Sequence, residues 1–242
     1  MFSKFWVSLF IGILFFGCIE NNIYAEVVEK EKLENSTADN YDLIGVGVGM
    51  LVSDFFLQTF IHEGTHTIVA LSEGYEIEKF QPYPGINKHG FHFGVSGRST
   101  DKIRSGPEAL IFISPKFTSV SVLYSYVILE QYDVLPSNQY AQLGLWVFAF
   151  GAWIDFTRDV CSGICYDSPT NDLVMFEKYM GYTSLWEKLA VRGTILVLSG
   201  LSIYPLYKGL KKVFDMSLTG EEEGLLSSLV ISPSMVGYRI KF

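Results

Sequence analysis

Residues 43–71 read LIGVGVGMLVSDFFLQTFIHEGTHTIVAL. As a helix this run is long enough to cross the roughly 30 Å of hydrocarbon in a bilayer. Its second half nevertheless carries His62, Glu63 and His66. Ionisable groups among apolar residues cost several kcal/mol unless they are paired or bind a metal. The stretch therefore predicts a membrane helix with chemistry on one face.

The rest of the chain has the same character. Hydrophobic residues make up 49% of the 242 and charged residues 18%, against about 25% charged in soluble domains. The apolar residues fall in long blocks rather than alternating with polar ones. Blocks follow at 107–130 (PEALIFISPKFTSVSVLYSYVILE), 140–156 (YAQLGLWVFAFGAWIDF) and 189–207 (LAVRGTILVLSGLSIYPLY). Pro115 and Lys116 interrupt the first of these, and each block carries a polar, Pro or Gly break. Such breaks are tolerated where helices pack on one another or line a wet cavity. The fold class expected is mainly α, a polytopic helical membrane bundle whose partner is the lipid bilayer. The net charge of −8 supplies no basic stripe to neutralise phosphates and excludes nucleic acid as a partner.

Two short β elements are expected beside the helices. In 80–99, PGINKHG reads as a turn and GFHFGV alternates, which predicts a β-hairpin insertion carrying His89 and His92. At the C-terminus, Val236, Tyr238, Ile240 and Phe242 alternate with Gly237, Arg239 and Lys241, which predicts a strand or hairpin in a tail spanning 213–242. At the N-terminus, one Lys, an apolar run from Phe5 to Cys18 and a small-residue site after Ala25 have the layout of a signal peptide, residues 1–25; uncleaved, it is a short anchor. Residues 26–42 form an acidic, exported and disordered segment, and 43–212 the membrane-embedded domain. These features point to a multi-pass protein of a bacterial cell envelope. Lys79, Lys88, Arg98, Lys102 and Arg104 place the 73–106 loop inside, whereas Lys208, Lys211 and Lys212 run against that rule. Cys161 and Cys165 read as a local staple or as two thiols, with no further soft ligands nearby for a zinc site.

In HEGTH, 62–66, the four-residue spacing puts both histidines on one helix face. Two such imidazoles can bind one Zn²⁺ while the intervening glutamate, Glu63, activates the metal-bound water. A catalytic zinc takes a third protein ligand. His89 and His92 read as ordinary hairpin residues. Asp54 stands about 12 Å along the helix from His62, too far to share the metal. Glu108 and Glu130 sit at the two ends of the second block. Asp155, Asp159 and Asp172 remain, and charge alone does not separate Asp155 from Asp172.

A membrane-embedded HExxH followed by a β-hairpin loop, further helices and a late Asn/Pro/Asp cluster resembles the site-2 protease family of intramembrane zinc metallopeptidases. The resemblance extends loosely over 43–207. In that family an Asn-Pro-rich stretch ending in Leu-Asp-Gly supplies the third zinc ligand. SPTNDL (168–173) has the Pro, the Asn and the Asp without the Leu-Asp-Gly ending. The resemblance implies Asp172 as third ligand ahead of Asp155 and Asp159, with His62 and His66 as the others and Glu63 as general base. It also implies a hairpin edge that holds an unwound substrate by strand addition. Asn171 is expected to cap a helix rather than donate to an oxyanion. The function expected is peptide-bond hydrolysis within or next to the membrane, on a membrane-protein or peptide substrate. Two other readings share the motif. One is a non-catalytic relative that binds metal or partners; the other is a tethered exported metallopeptidase acting on soluble peptides.

Overall fold

Asn40–Ser72 contains no proline and forms one helix, α1. It ends at Gly74, whose φ of 81° is the left-handed conformation that closes helices at little cost only for glycine. The computed structural model describes residues 40–87, 90–99, 103–165, 171–215, 229–232 and 235–238. The expected leader, residues 26–39 of the acidic segment and His89 lie outside them.

After α1 the chain makes a doubled hairpin. β1 (Ile77–Gln81) pairs antiparallel with β4 (Val95–Arg98), and β2 (Gly85–Asn87) pairs with β3 (Gly90–His92) nearer the tip. Four more helices follow: α2 (Ser105–Gln131), α3 (Gln139–Cys165), α4 (Asp172–Met180) and α5 (Leu185–Asp215). The tail carries β5 (Leu229–Ser232) paired antiparallel with β6 (Met235–Tyr238). The protein is mainly helical with small antiparallel hairpins, as expected from the sequence. Among the described residues α1, α2 and α5 are long and apolar enough to cross a membrane. The third apolar block belongs to α3, whose second half carries Asp155, Arg158 and Asp159 and which falls outside that group.

α2 is central, lying against α1, α3, α4 and α5, and α3 also packs on α1 and α5. Glycines on both helices, Gly47 of α1 and Gly144 and Gly151 of α3, line the α1–α3 contact. A Cβ on Gly47 would touch Leu143 at 3.5 Å, one on Gly144 would touch Met50 at 3.7 Å, and one on Gly151 would collide with Asp54. Small residues let two apolar helices approach where no hydrophobic effect drives them together. Leu43, Gly47, Met50, Asp54, Gln58 and His62 follow at spacings of three or four, so they share the stripe of α1 that faces α3. The opposite stripe, Ile44, Val48, Val52, Phe56 and Phe60, is 50–58% exposed. The helix thus buries its polar residues and shows its apolar ones, the reverse of a soluble helix.

Candidate metal centre

His62 and His66, one turn apart on α1, are buried, with 7% and 6% of their surface exposed. Their rings meet edge to face at 4.9 Å between centroids. The four-residue repeat brings them to one face, and neighbours on other elements decide which way each ring points.

His66 is oriented by a proline. Pro115 lies inside α2 and has no N–H, so the Ile111 carbonyl four residues earlier lacks its helical donor. His66 Nδ1 takes that place at 2.8 Å, and the Ser114 hydroxyl donates to the same oxygen at 2.8 Å. A carbonyl only accepts, so Nδ1 carries a proton and Nε2 is the nitrogen left to face the site.

His62 is oriented by a carboxylate. Its Nδ1 lies 2.9 Å from Asp155 Oδ1, and Ser119 Oγ donates to Asp155 Oδ2 at 2.7 Å. Lys116, 2% exposed, donates to the Asp155 carbonyl and lies 3.8 Å from its carboxylate. These donors keep Asp155 ionised, so the His62 Nδ1–H donates to it and Nε2 again faces inward. Lys116 also lies 2.9 Å from Asp159 Oδ2, an ion pair off the line of a hydrogen bond.

Both inward nitrogens meet Asp172. Its Oδ2 stands 2.8 Å from His62 Nε2 and 3.2 Å from His66 Nε2. The three donor atoms lie within 4.8 Å of one another. Asn171 caps α4 by accepting from Val174 N at 3.1 Å and anchors it by donating to Asp159 O and Ser162 Oγ, both at 2.8 Å. Asp172 is therefore the first residue of a capped helix, where the helix dipole favours a negative charge. Burial opposes that charge, but His66 and His62 hold the Asp172 carboxyl well below the usual carboxylate range. Arg192 on α5 locks the other end of α4 through a two-pronged pair with Glu177, 2.8 Å on each prong.

Once both Nδ1 atoms donate elsewhere, two imidazole lone pairs and a carboxylate oxygen point at one another. Such a triangle holds together only around a cation, either protons on the rings or a metal ion. The donor set, two nitrogens and one oxygen, is of the kind zinc takes, and the His66–Asp172 separation of 3.2 Å is close to the ~3.3 Å expected between tetrahedral ligands about 2.0–2.1 Å from the ion. Glu63, between the histidines in sequence, lines a cavity beside them with His62, Asp155 and Arg158. The loop between β3 and β4 lies against it: a Cβ on Gly94 would stand 2.5 Å from Glu63 Cγ and push that side chain aside. Thr67 and Ser96 fix β4 to α1 at 2.8 Å, and Phe93 packs edge-on against Phe55.

Of the sequence candidates, His62, His66, Glu63 and Asp172 come together. Asp155 stands behind His62, and Asp159 pairs with Lys116 and Arg158. Glu108 pairs with Arg98 and Glu130 with Lys208, and Cys161 is a free thiol. Sequence reading noted Pro115 and Lys116 only as a break in an apolar block, gave them no role at the site, and passed over Ser119. The signal of the first two was the polar break SPK, 114–116, in an otherwise apolar block. Compared with protein-family models, curated proteins and solved structures, the chain matches none.

Proposed function

We propose that the protein is a membrane-embedded zinc metallopeptidase of the site-2 protease type, hydrolysing peptide bonds within or next to the membrane. The observation that carries this reading is the convergence of His62 Nε2, His66 Nε2 and Asp172 Oδ2, with each Nδ1 held from behind. His62, His66 and Asp172 would hold the ion. When bound, zinc supplies Lewis acidity and makes water a nucleophile near neutral pH. Glu63 accepts the proton that the attacking water loses and returns it to the leaving amine nitrogen. The exposed apolar stripe of α1 supports a site within the bilayer, and the two-stranded hairpin beside Glu63 supplies an edge for an extended substrate.

The test is metal content and peptide cleavage on detergent-purified protein. Glu63→Gln is expected to keep its zinc and to lose at least about a hundredfold in rate, whereas His62→Ala is expected to lose the metal as well. Undiminished cleavage by the Glu63→Gln protein would sink the mechanism.

A further inference from the structure

Between α1 and α3 lies a cavity of ≈ 350 Å³ reaching from Leu51 to Glu63 along α1. One end is the proposed active centre. At the other is Asp54, a carboxylate 7% exposed. Gln58 donates to Asp54 Oδ1 at 3.1 Å and to Phe148 O at 2.9 Å, so both of its N–H donors are used. Asp54 Oδ2 projects over Gly151, where any Cβ would lie 1.8 Å from it. The glycine makes room for the charge at the cavity wall.

Asp54 differs from every other buried carboxylate among the described residues. Glu108 has Arg98, Glu130 has Lys208, Glu177 has Arg192, Asp155 and Asp159 have Lys116 and Arg158. No cation among the described residues pairs with Asp54. The ionisable groups facing the cavity are three carboxylates, Asp54, Glu63 and Asp155, one guanidinium, and the His62 imidazole, whose two nitrogens are taken by Asp155 and Asp172. That guanidinium, Arg158, is already shared by Asp155 at 3.7 Å and Asp159 at 3.1 Å. A charge left unpaired in an apolar helix is costly and marks a ligand position by default. The remaining wall, from Leu51, Phe55, Phe93 and Ile154, is apolar.

We propose that this cavity is a substrate subsite in which Asp54 pairs with a cationic nitrogen of an extended peptide, about 12 Å along α1 from His62. The inference rests on the peptidase reading and names its substrate class: peptides with an ammonium or guanidinium group a few residues from the scissile bond, flanked by apolar side chains. If the nitrogen is an N-terminal ammonium, the spacing corresponds to about three to four extended residues. A lysine or arginine side chain reaches Asp54 from a position nearer the bond.

Binding to the Glu63→Gln protein tests the subsite without relying on cleavage. The probes are fluorescent apolar peptides with lysine, acetyl-lysine or glutamate at successive positions, each with a free or acetylated N-terminus. One placement of the free amine is expected to bind at least tenfold more tightly than its acetylated twin. Adding Asp54→Asn is expected to remove that difference. Acetylation of the side chain or of the terminus identifies which nitrogen is seated. Equal affinity of charged and acetylated peptides at every position, or no binding at all, would overturn the subsite. If Asp54→Asn does not fold, the charge series on protein retaining Asp54 still decides. Failure of the wild-type protein to cleave the peptides it seats, with the charge preference intact, would instead count against the peptidase reading.

Discussion

The two nitrogens of His62 face different carboxylates, and that difference assigns different work to Asp155 and Asp172. Asp172 meets the inward Nε2 atoms of both histidines, while Asp155 meets only the outward Nδ1 of one. A carboxylate behind a metal-bound imidazole fixes its tautomer and raises its basicity, and losing it typically costs 10–100-fold in metal affinity. Asp155→Asn is therefore expected to weaken zinc binding by about that factor in a chelator competition, with the metal still present at saturation. Asp172→Ala removes a ligand and is expected to leave no stoichiometric zinc after purification. The opposite ranking, zinc lost with the Asp155 variant and kept with the Asp172 variant, would exchange their roles.

At the scale of elements, α2 gives up a helical hydrogen bond and α1 uses it. Pro115 frees the Ile111 carbonyl, and His66 occupies it. Pro115→Ala would restore a backbone N–H to that carbonyl, which already accepts from His66 and Ser114 and has only two lone pairs. The variant is expected to bind zinc about tenfold more weakly, while its thermal midpoint in detergent does not fall, because proline inside a helix is itself unfavourable. A midpoint lowered together with metal affinity would show that the proline serves packing instead. α4 is placed with similar economy: Asn171 caps its start, Gly181 (φ 73°) closes its end, and Arg192 pins Glu177. Nine residues are too few to hold a helix by propensity alone, so these contacts set the position of Asp172.

Over the described helices, ionisable groups lie inside beside the apolar core while large apolar residues cover the outside. Asp54, His62, His66, Lys116, Asp155, Asp159 and Glu177 are buried, while Ile44, Val48, Val52, Phe56, Leu196, Val197 and Leu201 are exposed. In water the exposed apolar area would drive aggregation; in hydrocarbon it has no such cost. The protein is accordingly expected to stay with the membrane through high-salt and alkaline carbonate washes and to leave it only in detergent. Release by carbonate alone would favour a tethered soluble enzyme over a membrane-embedded one.

The helices and the histidine pair were legible because both are local. A 29-residue apolar run has one economical conformation in a bilayer, and HExxH aligns its ends within a single turn. The hairpin showed itself in alternation and turn residues in the same way. The charged half of α3 was harder to read, because its apolar block ends in residues that find their partners on α2. Only the tertiary structure shows which face of the histidine pair each of Asp155 and Asp172 meets. They lie 93 residues from His62 and 106 from His66 respectively, and at such separations the sequence carries no register. The side of each imidazole that the folded chain presents to them is set by a missing N–H at Pro115, a cap at Asn171 and an ion pair at Arg192.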